Sequence, residues 1–157
     1  MSFDNKAQSV SSADSAADRA AELFSKGLNC SQAVFCAFAD EFGMDAETAA
    51  RISSGLGGGV GRMREVCGAV TGATLVMGMR HGSGKDAVYP VVQDFCARFK
   101  AENGSIVCRE LLSGTGATSG GAAEARTAEY YRKRPCVELV RCAAKFLEES
   151  KNALGNH

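Results

Sequence analysis

This sequence has no net charge, only two histidines and no long apolar run. Its 157 residues include 18 basic and 18 acidic side chains, so the formal net charge is zero. Nucleic acids and anionic membrane surfaces attract proteins with a basic excess, and the balance predicts that neither is the main partner. No apolar run approaches the roughly 18–20 residues that a membrane span needs, so no membrane insertion is expected.

Histidine is confined to His81 and the terminal His157. This scarcity nearly excludes histidine-based catalysis and a histidine-rich metal site, and it leaves His81 as the one imidazole that could act as a base. Because His81 follows an apolar segment and precedes Gly82, its predicted role is to stabilise the negative end of a helix dipole.

Cysteine, in contrast, is abundant, with seven residues. The first twelve residues are polar and serine-rich and lack an apolar signal-peptide core, which predicts a disordered leader over 1–12, one domain over 13–157 and a cytoplasmic location. Structural disulfides are rare in that compartment, and an odd number of cysteines cannot pair completely. The thiols are therefore expected to be reactive groups, metal ligands or buried packing residues.

Apolar side chains recur at helical spacing along most of the chain, and no segment alternates at period two for long enough to predict a strand. The pattern predicts an all-α, compact single-domain bundle of about six to eight helices, several of them short. Asn29 and Asp45 are predicted N-caps, and Gly27 and Gly43 are predicted helix stops. The predicted helices cover residues 13–26, 30–42, 46–54, 62–81, 86–100, 106–112, 122–134 and 135 onward.

Residues 66–79 are apolar or small on nearly every side, which is typical of a helix surrounded by other helices. Gly68 and Gly72 lie four residues apart and would share one face. Each glycine costs a helix interior about 1 kcal/mol relative to alanine, and the predicted compensation is the close approach of a neighbouring backbone. Pro90 is predicted in the first turn of the following helix, where proline is tolerated.

The cysteines fall into two groups by their position in the predicted helices. A helix start offers free N–H groups and a positive dipole end, which lower the pKa of a thiol and favour a nucleophile or a metal ligand. Positive charge from Arg62, Arg64 and Arg109 would add to this effect. Four cysteines lie near helix starts and are the candidate catalytic or metal-ligating residues: Cys30, Cys67, Cys108 and Cys136. Three others lie inside helices and are expected to pack at the core margin or at a subunit contact: Cys36, Cys96 and Cys142.

Neither a CxxC pair nor a standard phosphate-binding loop is present. The missing CxxC argues against a thioredoxin-type pair and against a zinc finger. The glycine-rich stretch 55–61 lacks the Lys-Ser/Thr ending of a P-loop and does not fit G-x-G-x-x-G. Successive backbone N–H groups beside a cation make a candidate anion- or cofactor-binding turn of Gly57, Gly58, Gly59 and Arg62. The alternative, which we favour, is a tight turn that brings Cys67 to the surface of a cavity.

The glycine-rich approach GLGGGVGRMREV, the core C-G-A-x-x-G from Cys67 to Gly72, and single cysteines on either side resemble the C-GCAxxG-C-C family, whose members are described as redox-active. The resemblance spans about residues 29–142, with Val66 where the family pattern has glycine. It implies redox activity and assigns the four family cysteines to the set near helix starts. A related domain in split-Soret cytochromes is associated with an iron–sulfur cluster, which the resemblance adds as a cofactor to consider.

Three hypotheses follow. The leading one is a thiol/disulfide redox protein with an unknown redox partner, in which Cys67 is the attacking thiolate and Cys30, Cys108 or Cys136 resolves the intermediate. The second is an electron-transfer protein whose four thiolates hold an iron–sulfur cluster or a single metal ion. The third is a helical interaction module, a homodimer, in which the cysteines are structural, because a free cysteine often packs as a small apolar residue.

Overall fold

Helices form most of the chain that the computed structural model describes, which is residues 14–154. The predicted leader over 1–12 lies outside this range. The described part contains no strand, only an isolated antiparallel bridge between Val66 and Val107, so the all-α prediction is confirmed. The helices are α1 (Ala16–Ser25), α2 (Cys30–Cys36), α3 (Ala46–Ser53), α4 (Gly68–His81), α5 (Lys85–Asn103), α6 (Cys108–Leu111), α7 (Ala128–Lys133) and α8 (Cys136–Leu154), with shorter helical turns at Ala39–Phe42, Ser54–Leu56 and Gly57–Val60.

The predicted helix caps are present in the structure. Asn29 forms a capping box with Gln32: the Asn29 side chain accepts from the Gln32 N–H at 2.9 Å, and the Gln32 side chain accepts from the Asn29 N–H at 3.0 Å. Asp45 accepts from the Thr48 N–H at 2.8 Å at the start of α3. Each bond satisfies an N–H group that would otherwise be unpaired in the first helical turn. These local bonds therefore fix the start of α2 and with it the position of Cys30.

The short helix α2 lies at the centre of the bundle and contacts α1, α3, α4 and α8. The long helix α8 also packs against α1, α4 and α5, and together they bury the largest side chains of the core. The apolar stripe of α8 is buried throughout: Cys136, Leu139, Val140, Ala143, Phe146 and Leu147. In α5, by contrast, only Phe95 and Phe99 are fully buried.

Gly68 and Gly72 allow α4 to approach α2 closely, as predicted. A Cβ atom at Gly68 would lie 3.0 Å from the Cβ atom of Cys30, and one at Gly72 would lie 2.7 Å from the carbonyl oxygen of Ser31. Real Cβ atoms essentially never lie as close as the 2.7 Å at Gly72, and the 3.0 Å at Gly68 would require Cys30 to shift. Both positions therefore favour glycine. The contact holds the first turn of α2 against the first turn of α4, and it thereby sets Cys30 beside Cys67.

Several predicted helices are shorter in the structure, and three of them lose a turn or more. The predicted helix 30–42 stops at Cys36, and the tighter turn Ala39–Phe42 follows it. The predicted helix 62–81 begins only at Gly68, because the preceding residues pair with the segment before α6. The alanine-rich stretch 122–134 is helical only in α7, where the Thr127 side chain caps the helix start by accepting from the Tyr130 N–H. Just before this cap, Arg126 donates to the carbonyl oxygens of Phe24 and Leu28.

Two local details also differ from expectation. The segment after Ser105 becomes helical only at Cys108, because the Ser105 hydroxyl accepts from the Val107 N–H and forms a turn rather than a helix cap. Pro90 lies inside α5 rather than in its first turn, because the helix begins at Lys85. Pro90 is exposed, so the hydrogen bond it cannot make lies at the surface. Within residues 14–154 no helix combines the length and apolarity that crossing a membrane requires.

Candidate functional site

Four cysteines from four helix starts line one cavity. Its volume is about 50 Å³. Cys30, Cys108 and Cys136 are the first residues of α2, α6 and α8, and Cys67 is the N-cap residue of α4. All four are free thiols, and all but Cys30 are fully buried. The fold therefore brings together the cysteines that sequence position had grouped, although they are far apart in the chain. We call this space the thiol cavity.

A short antiparallel pairing joins the segments that carry Cys67 and Cys108. The Cys67 N–H donates to the Ile106 carbonyl at 2.8 Å, and the Cys108 N–H donates to the Glu65 carbonyl at 2.6 Å. Because Val66 and Val107 form a single bridge, the pairing is too short to leave a strand pattern in the sequence. It fixes the spacing of two of the thiols, and sequence reasoning missed it.

The glycine turn Gly57–Val60 packs against the thiol cavity. Gly58 and Gly59 both have φ of 66°, in the left-handed region that favours glycine. A Cβ atom at Gly59 would lie 2.7 Å from the Cβ atom of Cys108, and one at Gly57 would lie 2.3 Å from the Asn29 side chain. These approaches favour the interpretation of the stretch as a tight turn beside a cavity. Cofactor binding by Gly57, Gly58, Gly59 and Arg62 stays a prediction.

Cys30 and Cys136 interact within the thiol cavity. The interaction with Cys136 raises the pKa of Cys30 well above its ordinary value, and burial raises it further. The interaction with Cys30, together with positive charge from Arg134, Arg126 and Arg64, lowers the pKa of Cys136 despite the opposing effect of burial. Cys136 is thus the thiol that is prepared to ionise.

Cys67 and Cys108 have different surroundings. Burial raises the pKa of Cys67 to about 12, and N–H groups of the first turn of α4 offset this only in part. The helix start therefore does not make Cys67 a thiolate, contrary to the effect expected from its position. The Cys108 sulfur accepts from Nη1 of Arg64 at 3.7 Å. The distribution of charge favours Cys136 over Cys67 as the nucleophile.

Glu124 joins three arginines beside the cavity. Its carboxylate contacts Arg134 and lies 3.3 Å from Nη1 of Arg62 and 3.6 Å from Nη2 of Arg64. The hydrogen bond from Arg134, together with that from Arg62, lowers the pKa of Glu124 to about 2 despite the opposing effect of burial. The carboxylate is therefore ionised throughout the neutral range and holds the arginines in place.

Replacing Glu124 by glutamine is expected to lower the free energy of unfolding by roughly 1–2 kcal/mol at pH 7, a value reduced for solvent screening of a partly exposed carboxylate. The folded-state pKa is depressed, so this contribution is present above pH 4.5 and is lost as the pH falls towards 2. Urea unfolding at pH 7 and at pH 2 measures the free energy of unfolding of E124Q and of the unmodified protein. Glu138→Gln, at an exposed carboxylate, is the control. A gap between E124Q and the unmodified protein that is as large at pH 2 as at pH 7 would contradict this prediction.

The remaining cysteines and His81 lie away from the thiol cavity. Cys36, Cys96 and Cys142 are partly buried and pack against the core, as expected for residues at its margin. Burial raises the pKa of each of them, that of Cys36 to about 12. His81 is in the last turn of α4 and faces a separate cavity lined by α5 and α8, so it does not serve the four thiols as a base.

The spacing of the thiols decides whether the cavity could hold a metal ion as it stands. Within residues 14–154 no three cysteine, histidine, aspartate or glutamate side chains are placed so that they could hold a metal ion together. A zinc or cluster site needs sulfur atoms about 2.3 Å from the metal, so these thiols would have to move closer together to ligate one. A metal ion or iron–sulfur cluster at Cys30, Cys67, Cys108 and Cys136 stays a prediction.

The fold and the cavity define a class: small helical proteins that gather four free thiols at helix starts. The chain belongs to the family whose description is "Putative redox-active protein (C_GCAxxG_C_C)", and the family model matches residues 28–150. The match confirms the resemblance seen in the sequence around Cys67 and includes all four cysteines of the cavity. No curated protein and no solved structure matches the chain.

Proposed function

We propose that this protein carries out thiol–disulfide exchange through Cys136 and Cys30. The observation that supports the proposal is that Cys30 and Cys136 line one cavity, in which the interaction with Cys30 and the charge of three arginines lower the pKa of Cys136. A thiolate is the attacking species in exchange, and a second thiol in the same cavity can resolve the intermediate. Cys136 therefore replaces Cys67 as the proposed nucleophile.

The exchange proceeds in two steps. The Cys136 thiolate attacks one sulfur of a low-molecular-weight disulfide, forms a mixed disulfide and releases the first thiolate of the substrate. That thiolate takes the proton of Cys30, whose sulfur then attacks the Cys136 sulfur and releases the second substrate thiolate. The protein dithiol loses two electrons and becomes a disulfide, while the substrate disulfide gains them and becomes two thiols.

We assign the other two cavity thiols no part in the first step. Cys67 stays protonated at neutral pH, because burial raises its pKa to about 12. The Cys108 sulfur accepts from Arg64, and its N–H donates to the Glu65 carbonyl. Both residues shape the cavity wall against which Cys30 and Cys136 meet.

Mild oxidation is expected to convert Cys30 and Cys136 into one disulfide. The free-thiol count in denaturant should fall by two, and digestion followed by mass spectrometry should recover a linked pair of peptides that contain these cysteines. Cys142→Ser, at a cysteine outside the cavity, should leave the linkage unchanged. An unaltered thiol count, or a principal linkage that excludes Cys136, would overturn the proposal.

A cysteine-ligated cluster or metal ion remains the second candidate, because four free thiols line one cavity. Iron, zinc and acid-labile sulfide in protein purified without oxygen test it directly. Stoichiometric metal that is lost when Cys67 or Cys108 becomes serine would favour this candidate over the dithiol, since neither residue forms part of the exchanging pair. A homodimer stays a prediction, which sedimentation of the purified protein would test.

A further inference from the structure

An open cleft lies beside the thiol cavity. Its volume is about 320 Å³, which is at the lower end of the range for small-molecule sites. The cleft and the thiol cavity are adjacent, because the same six residues line both: Asn29, Gly58, Arg64, Arg126, Tyr130 and Arg134. A molecule bound in the cleft would therefore lie next to the thiols. We call this space the arginine cleft.

The charge of the arginine cleft is strongly positive. Four guanidinium groups line it, from Arg62, Arg64, Arg126 and Arg134, and Glu124 is the one carboxylate among the lining residues. Because a single carboxylate neutralises a single positive charge, an excess of positive charge remains. Such an excess in a concave site attracts anions and concentrates them there.

Several bonds that hold the arginines are made to uncharged groups. Arg126 donates to the carbonyl oxygens of Leu28 at 2.9 Å and Phe24 at 3.1 Å, and its guanidinium lies over the Phe24 ring. Arg62 donates to the Gly120 carbonyl at 2.9 Å and to the Thr118 hydroxyl at 3.1 Å, in addition to its contact with Glu124. These contacts orient the guanidinium groups without cancelling their charge.

Arg64 has a donor without an acceptor. The residue is 8% exposed, and its Nη2 atom is buried with no hydrogen-bond partner in the part of the chain that the structure describes. The nearest carboxylate oxygen, of Glu124, is 3.6 Å away, which is an ionic contact but too long for a hydrogen bond. A buried charged donor left unpaired is costly, and a bound anion would satisfy it.

Arg64 also connects the cleft with the thiols. Its Nη1 donates to the Cys108 sulfur at 3.7 Å, its Nε donates to the Thr118 carbonyl at 2.8 Å, and its positive charge lowers the pKa of Cys136. One planar guanidinium therefore reaches both the cavity in which exchange takes place and the cleft beside it. An anion held at Nη2 would place the rest of its molecule near Cys136.

Building on the proposed thiol exchange, we propose that the arginine cleft binds the anionic group of the substrate. The substrate is then a low-molecular-weight disulfide that carries a carboxylate or another oxyanion. Nη2 of Arg64 donates to this group, while Arg62, Arg126 and Arg134 supply the surrounding positive charge. The electron balance is that of the exchange above: the substrate disulfide is reduced to two anionic thiols, and Cys30 and Cys136 become a disulfide.

The test compares an anionic disulfide with a neutral one. The rate at which Cys136 reacts is measured by acid quenching and mass spectrometry, with the anionic 5,5′-dithiobis(2-nitrobenzoate) and with the neutral 4,4′-dithiodipyridine. Each rate is divided by the rate at which the same reagent reacts with a small free thiol, and the ratio of the two results is the preference for the anionic reagent. This preference should exceed one, and it should fall about tenfold in Arg64→Gln. Sulfate should slow the anionic reagent more than chloride does at equal ionic strength.

The ratio of the rates with the two reagents separates anion binding in the cleft from activation of the Cys136 thiol. Loss of the Arg64 charge also raises the Cys136 pKa, which slows both reagents alike and leaves their ratio unchanged. Arg64→Lys should keep part of the preference, and Arg98→Gln, at an exposed arginine on α5, should keep all of it. The sulfate measurement needs no variant, so it stands even where R64Q folds poorly.

The failure of this inference differs from the failure of the proposed function. If the neutral reagent produces the Cys30–Cys136 disulfide but the anionic reagent shows no preference and no effect of sulfate, the anion site is wrong and the exchange stands. If neither reagent oxidises this pair, the exchange itself is wrong, and the substrate assignment that depends on it is withdrawn with it.

Discussion

Replacing Cys136 by serine is expected to lower the initial rate of disulfide exchange at pH 7 by at least about tenfold. The pKa of Cys136 is lowered, while the pKa values of Cys30 and Cys67 are raised. Each unit of pKa above the ambient pH reduces the thiolate fraction about tenfold, so neither neighbour can substitute for it. Stopped-flow reaction with excess 4,4′-dithiodipyridine measures the fast phase that should disappear.

Two further variants distinguish the roles within the pair. Cys30→Ser should retain the fast attack by Cys136 but stop at the mixed disulfide, which then accumulates as an adduct in the intact mass. Cys142→Ser should behave like the unmodified protein. A fast phase that survives in C136S but disappears in Cys67→Ser would show that the helix start at Cys67, and not the surroundings of Cys136, activates the nucleophile.

The second large effect concerns the stability of the α2–α4 contact. Gly72→Ala is expected to lower the free energy of unfolding by about 1–3 kcal/mol, because the new methyl group would lie 2.7 Å from the Ser31 carbonyl oxygen and must push backbone apart. Gly78→Ala, in the same helix, should instead raise stability by up to about 1 kcal/mol, because its methyl group meets nothing within 4 Å and alanine is the better helix former. Chemical denaturation measures both.

The pair of variants separates packing from helix propensity, because the same substitution is made twice in one helix. If both variants are stabilised, α4 does not approach α2 as closely as the structure has it, and the position of Cys30 beside Cys67 is in doubt. If both are destabilised, the helix itself is sensitive to any side chain at these positions. Opposite signs are the result that supports the described contact.

The features of this fold that could be predicted from the sequence are local. The capping box of Asn29 and Gln32, the Asp45 cap and the stop at Gly27 each depend on residues within one turn of the helix end. The close approach at Gly72 is also encoded locally, since two glycines on one helix face lower helix propensity and indicate that a neighbouring backbone packs there. The same local signals located Cys30, Cys108 and Cys136 at helix starts, because each of these starts follows a cap, a loop or a proline. The predicted helix containing Cys67 began earlier, at residue 62, and the structure starts it only at Gly68.

What could not be predicted depends on contacts between distant segments. The bridge between Val66 and Val107 prevents a helix over the preceding arginines, and a single bridged pair leaves no periodic signal. The start of α7 at Thr127, after Arg126, also lies later than the alanine-rich composition indicates, and the guanidinium of Arg126 donates to carbonyl oxygens at the end of α1 and beyond it. Contacts of this kind join segments that local propensity does not place together.

In the candidate site, too, the sequence predicted the local features and missed those that depend on distant segments. Sequence position selected the four cysteines, but it favoured Cys67 as the nucleophile because a helix start and nearby arginines lower a thiol pKa. In the folded chain Cys67 is buried, and the guanidinium charge acts on Cys136 instead. The positions of Glu124 and Arg134, which determine where that charge lies, depend on chain segments that the sequence alone does not place together.

The central claim, that the cavity is a dithiol site, is tested most directly on protein purified without oxygen. Iron, zinc, acid-labile sulfide and free thiols are quantified before and after mild oxidation. We predict all seven cysteines as thiols at the outset, no stoichiometric metal or sulfide, and the loss of two thiols on oxidation as a Cys30–Cys136 linkage. Stoichiometric iron with sulfide, and cavity thiols that resist oxidation until the iron is removed, would contradict the claim and identify a cluster-binding protein.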